Sequence, residues 1–199
     1  MTESERKQII ALVQREVIPA IGCTEPIAVA LCVAKATETL GAKPEKIKVL
    51  LSANILKNAM GVGIPGTGMI GLPIAVALGA LIGKSDYQLE VLKDSSPEAV
   101  EEGKKLIDEK RICISLKENI TEKLYIEVMC EAGGEQATAI ISGGHTTFVY
   151  VAKGDEILLN KQQVSGEEEE EEELELTLRK VYDFALTAPL DEIRFILET

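Results

Sequence analysis

The sequence predicts an α+β fold: a buried-helix domain carrying a small α/β module. Three observations lead there. Up to about residue 84 the apolar residues recur mostly at helical spacing, with one short alternating run. Beyond Lys84 the pattern changes to alternating runs divided by Gly133-Gly134 and Gly143-Gly144, which are turn signals. Aromatic residues make up 4% of the chain with no Trp, while aliphatic residues and Gly abound, so the core should be close-packed helices meeting through small side chains.

The elements follow in order. Ser4 to Ile18 reads as a helix ended by Pro19, with Ile9, Ile10, Leu12, Val13 and Val17 near one face. A second helix runs from Thr24 or Pro26 to about Leu40, where Gly41 stops it. Being apolar on nearly every side up to Val33, it should be central. Lys46 to Ser52 alternates as a strand, and Asn54 to Met60 makes one or two helical turns before the loop GVGIPGTGMIG. The hexapeptide PIAVAL, first at Pro26 to Leu31, returns at Pro73 to Leu78, so two buried helices each follow a glycine-containing polar turn.

Tyr87 to Lys93 reads as a strand, and Ser96 caps a helix that Pro97 opens and that runs to about Lys110. Strand-like runs follow at Ile112 to Leu116, Leu124 to Cys130, Gln136 to Ser142, Thr146 to Lys153 and Ile157 to Leu159. Seven consecutive glutamates, Glu167 to Glu173, then form an acidic linker or frayed helix before two further helical stretches, Leu174 to Leu186 and Leu190 to Leu197. The expected organisation is a helical catalytic half-domain at 1–84 and a β-α-β-β-β-β module at 85–163. An acidic linker at 164–175 leads to the start of a further helical region at 176–199.

Composition narrows the function. At 199 residues, 46% hydrophobic and 27% charged, the chain can bury a sizeable core. Its net charge of −12 owes seven units to the glutamate run. Lacking a basic stripe and stacking aromatics, it is not expected to bind nucleic acid. The longest apolar stretch, Met69 to Gly83, falls short of the roughly 20 residues a membrane span needs, so no membrane partner is expected. The charged start MTESERKQ is not a signal peptide, which predicts a cytoplasmic protein with reduced thiols.

The cysteines stand at 23, 32, 113 and 130 without a CxxC, and His145 is the only histidine, so a self-contained metal site is not expected. Nine residues separate Cys23 from Cys32, which at about 100° per residue places them on opposite helix faces. Cys130 is in phase with Ile126 and Val128 as a core residue, whereas Cys113 should be partly exposed. GVGIPG matches GxGxxG, but it follows ILKNAM rather than a strand and contains Pro65, which argues against a dinucleotide loop.

Two clusters remain as candidates for chemistry. Cys23 at a helix N-terminus sees the positive end of the backbone dipole, which favours a thiolate able to act as nucleophile, base or soft-metal ligand. Beside it, Thr24 can cap and Glu25 can favour the dipole. The turn Gly66-Thr67-Gly68 offers backbone N–H groups at a helix start, where a carboxylate or phosphate binds, and Asn54, Lys57 and Asn58 lie on one helical face just upstream.

The segments GCTEPIAVAL, SANILKNAMGVGIPGTGMIGLPIAVALGA and SGGHTTFVYV together resemble the L-cysteine desulfidase family, iron–sulfur proteins similar to the alpha chain of bacterial L-serine dehydratase. The resemblance covers most of residues 6 to 160. It implies a pyridoxal-independent lyase that holds a [4Fe-4S] cluster and eliminates sulfide from L-cysteine, or water from L-serine, to leave pyruvate and ammonia. Cys23 would then be the catalytic base or a cluster ligand, with Thr24 and Glu25 beside it. Asn54, Lys57, Asn58, Gly66, Thr67 and Gly68 would fix the substrate carboxylate, and His145 would face the helical domain or a regulatory ligand. Family members are about twice as long and keep most cluster cysteines in their C-terminal half. The expectation is therefore an N-terminal part, inactive alone, whose further cluster ligands lie elsewhere. A non-catalytic amino-acid-binding or regulatory protein is the alternative, and homo-oligomerisation is left open.

Overall fold

The computed structural model describes residues 1–161 and 176–197, so the glutamate run and the linker expected at 164–175 lie outside the described residues. The chain divides into two compact units, Ala20–Val164 and a discontinuous one made of Met1–Pro19 with Ser165–Thr199. The fold is mixed α+β, with a six-stranded mixed sheet and a small two-stranded hairpin.

In the larger unit, α2 (Thr24–Leu40) leads to β1 (Lys46–Leu51), α3 (Ala53–Ala59), the hairpin strands β2 (Gly63–Ile64) and β3 (Met69–Ile70), and α4 (Leu72–Ile82). A 3-10 turn (Ser85–Glu90) precedes α5 (Pro97–Asp108) and the strands β4 (Ile112–Leu116), β5 (Tyr125–Ala132), β6 (Glu135–Ser142), β7 (Phe148–Lys153) and β8 (Glu156–Asn160). The sheet order is β4-β1-β5-β6-β7-β8. Only β1 and β4 are parallel, as their connection through helices requires; the antiparallel neighbours from β5 to β8 follow one another in sequence.

The strand residues facing the helices form rows set by register. Leu51 pairs with Ile126 and Ile126 with Ile141; Val49 pairs with Val128, then Ala139. All six of these residues are buried, and α2 packs on β5 and β6. Small Ala139 lets the helix come close enough for the Cys32 thiol to donate to the Ala139 carbonyl at 3.3 Å. Cys130 lies in the same core, and Cys113 is exposed on β4, as their alternation predicts.

The two PIAVAL helices pack directly on one another. A Cβ added to Gly79 of α4 would stand 2.6 Å from the Ala30 carbonyl oxygen of α2, so the crossing depends on a bare backbone at that position. Gly41, at φ 76°, ends α2 in the left-handed conformation that the sequence assigns to it.

Tyr87 to Lys93 is not a strand: Tyr87 N–H donates to Lys84, Val91 N–H to Gln88 and Lys93 N–H to Glu90, closing successive local turns. Both Val91 and Leu92 are buried, which a strand with alternating faces could not arrange on one side. Ser85, held by both oxygens of Glu38 on α2, anchors the start of this segment.

The smaller unit holds α1 (Glu3–Glu16), α6 (Leu178–Thr187), the short α7 (Leu190–Ile193) and a 3-10 turn (Arg194–Leu197). Thr2 and Glu5 cap α1 reciprocally, and Lys180 to Glu5 (3.2 Å) and Arg6 to Glu192 (3.1 Å) tie its two segments together. Among the described residues no helix is long and apolar enough to cross a membrane.

Candidate active site around Cys23

The site begins with a turn. Gly22 has φ +87°, which only glycine adopts cheaply, and it delivers Cys23 to the N-cap position of α2. Opposite Gly22 stands Pro65: a Cβ on Gly22 would lie 2.8 Å from Pro65 Cγ, so the glycine-rich loop rests directly on the cysteine turn. The proline that argues against a dinucleotide loop thus has a packing role, which the sequence reading did not assign.

Three donors converge on one carboxylate. Cys23 Sγ donates to Glu25 Oε2 at 3.0 Å, and Thr24 Oγ1 reaches the same oxygen at 3.3 Å. Asn58 Nδ2, from α3, donates to Glu25 Oε1 at 3.3 Å. Four residues named from sequence are therefore in one hydrogen-bonded group, although Asn58 meets Glu25 rather than standing free for a ligand.

The charge settles differently from the expectation of a thiolate. The helix terminus favours one negative charge, and a carboxyl with an ordinary value of 4.5 takes it long before a thiol at 9.0. Glu25 is thus held below its usual range, chiefly by the Cys23 hydrogen bond. Cys23 is pushed above its own, first by donating to Glu25 and then by burial. The pair is a thiol and a carboxylate, with the proton on sulfur.

The turn Gly66-Thr67-Gly68 is not at a helix start. It is the tip of the β2–β3 hairpin, and α4 begins only at Leu72 behind Gly71. Its polar groups serve the turn: Thr67 N–H and Oγ1 both donate to the Ile64 carbonyl, and Met69 N–H donates to Thr67 Oγ1 at 3.0 Å. One of the N–H groups expected to cradle an anion, that of Thr67, is therefore already used, and so is the Thr67 hydroxyl. Asn54 and Lys57 stand exposed on α3, the helix that supplies Asn58. His145 lies in the turn between β6 and β7, closed by Thr147 N–H to the Gly144 carbonyl.

A [4Fe-4S] cluster takes about four thiolates. Among the described residues no group of three or more His, Cys, Asp or Glu side chains could hold a metal ion. Cys23 is the single thiol at this site, Cys32 and Cys130 being sealed in the core. The described residues do not form a cluster site.

Neither a family model nor a solved structure matches the chain. Curated relatives do. UPF0597 proteins of Bacteroides fragilis and Bacteroides thetaiotaomicron are 96% and 78% identical over all 199 residues. One from Porphyromonas gingivalis is 48% identical across the whole chain. The chain spans about 46% of the length of the Bacteroides relatives. Over its whole length the chain is thus similar to UPF0597 proteins, of which it spans somewhat under half.

Proposed function

We propose that the full-length protein is an amino-acid lyase, eliminating sulfide from L-cysteine or water from L-serine, and that this chain supplies its proton-handling group. The observation that carries the reading is the hydrogen-bonded set Cys23, Glu25 and Asn58 at the head of α2. The resemblance of the surrounding segments to the L-cysteine desulfidase family supports it.

Elimination needs a base for the α-proton and an acid for the departing sulfide or hydroxide. Glu25, ionised at neutral pH, takes the α-proton; Cys23, protonated, gives its proton to the leaving group. The resulting 2-aminoacrylate takes up water to become pyruvate and ammonia, and transfer of the proton from Glu25 to the Cys23 thiolate restores the pair. Asn58 keeps the carboxylate turned toward the thiol. The [4Fe-4S] cluster that the resemblance implies would draw its further ligands from the part of the relatives that this chain does not span.

The test is release of sulfide and pyruvate by the anaerobically purified full-length relative, with L-cysteine and L-serine side by side. Turnover lost in Cys23→Ser and Glu25→Gln supports the assignment. Absence of pyruvate from either amino acid, with calorimetric binding retained, would replace the lyase by an amino-acid-binding protein.

A further inference from the structure

The smaller unit carries an amphipathic helix turned inside out. In α6 the apolar residues Leu178, Val181, Tyr182 and Leu186 recur at spacings of three and four, which puts them on one stripe. That stripe is exposed: Leu178 to 90% and Leu186 to 67%. The opposite side, with Lys180, Asp183 and Phe184, is the half-buried one, and Lys180 pairs with Glu5 of α1 at 3.2 Å. Beyond the helix Leu190 and Leu197 are exposed to 79% and 86%. Among the described residues of this unit Ile9 is the only buried hydrophobic side chain, so its segments meet without enclosing a core.

We propose that the α6 stripe is the docking face for the remainder of the UPF0597 polypeptide, which lays an apolar surface across Leu178, Val181, Tyr182 and Leu186 to complete this unit's core. More than half of each Bacteroides relative lies outside the chain, so a covering layer of the same polypeptide is available. The charge pattern points away from a lipid surface. Membrane-surface helices carry a basic polar face, whereas here Arg179 and Lys180 are offset by Asp183, Asp191 and Glu192. The inference does not depend on the lyase reading.

Amide hydrogen exchange on the full-length Bacteroides fragilis relative and on the 199-residue chain tests it without any substitution. Residues 178–187 are expected to exchange at least about 100-fold more slowly in the full-length protein. Tyr182→Asp with Leu186→Asp in the full-length protein should return them to the rate seen in the chain. Ile157→Asp, on the exposed edge strand β8, should not. Equal exchange in the two wild-type proteins overturns the proposal. So does slow exchange in the chain alone that grows with protein concentration, which would mean that a second copy covers the stripe. Protection that appears only with phosphatidylglycerol vesicles would assign it to lipid and overturn it equally.

Discussion

Cys23 and Glu25 share one proton across 3.0 Å, and the carboxylate keeps the negative charge that the start of α2 favours. A cysteine at a helix N-terminus is ordinarily read as an activated thiolate. Here the residue two positions on has the lower intrinsic value and leaves the thiol as donor.

Removing the acceptor should therefore activate the thiol. In Glu25→Gln the pH profile for alkylation of Cys23 by iodoacetamide is expected to move to lower pH, because the neutral amide no longer favours the protonated form. An unchanged profile would mean that the carboxylate does not hold the thiol proton.

The pair also sets a stability window. Glu25, lowered in the fold, contributes stability present above the ordinary carboxyl value of 4.5 and lost as pH falls through its folded value. Cys23, raised in the fold, contributes stability present below the ordinary thiol value of 9.0 and lost as pH rises through its folded value. Denaturant midpoints of wild type minus those of Cys23→Ala with Glu25→Gln should be largest between those limits and shrink outside them. A difference independent of pH would refute the coupling.

Asn58 is the one member of the group from another helix. A hydrogen bond to a charged group is worth about 1.5 kcal/mol, so Asn58→Ala should lower kcat of the full-length protein in the proposed elimination about tenfold by freeing Glu25 to turn. Since the side chain is exposed, the unfolding midpoint should scarcely change. A rise in KM with kcat intact would instead place Asn58 on the substrate.

Gly22→Ala combines two costs, the left-handed φ of +87° and the approach to Pro65. Together they should destabilise by about 2 kcal/mol. Pro65→Ala removes the Cγ and Cδ atoms, so in that background Gly22→Ala should cost only the conformational part, about 1 kcal/mol. Equal costs in both backgrounds, measured by urea denaturation, would show that Pro65 does not bear on the turn.

At the helix crossing, Gly79→Ala should gain about 1 kcal/mol of helix propensity and still lose stability. Its Cβ would meet the Ala30 carbonyl oxygen at 2.6 Å, and a backbone group cannot move aside without shifting α2. A net loss of about 2 kcal/mol is expected. Stabilisation would mean that the helices have room to separate.

Much of the fold was legible because its signals are local. The period of the residues from Thr24 to Leu40, the stop at Gly41 and the alternation of Ile126, Val128 and Cys130 all lie within a few residues of one another, and each has its element in the structure. Tyr87 to Lys93 misled because Tyr87, Leu89 and Val91 imitate alternation; the buried neighbours Val91 and Leu92 reveal turns instead. Gly66-Thr67-Gly68 misled for a similar reason, since a glycine turn before an apolar run reads alike whether a helix or a hairpin closes it.

The sequence by itself determined most of the helices and strands, that α2 and α4 are buried, and that Cys23, Thr24 and Glu25 begin a helix, because these follow from spacings within one or two turns. Only the tertiary structure decided that β1 lies between β4 and β5, that Asn58 reaches Glu25 and that Pro65 rests on Gly22. Those outcomes depend on register and on close approach between residues more than thirty positions apart, and no local pattern encodes such distances.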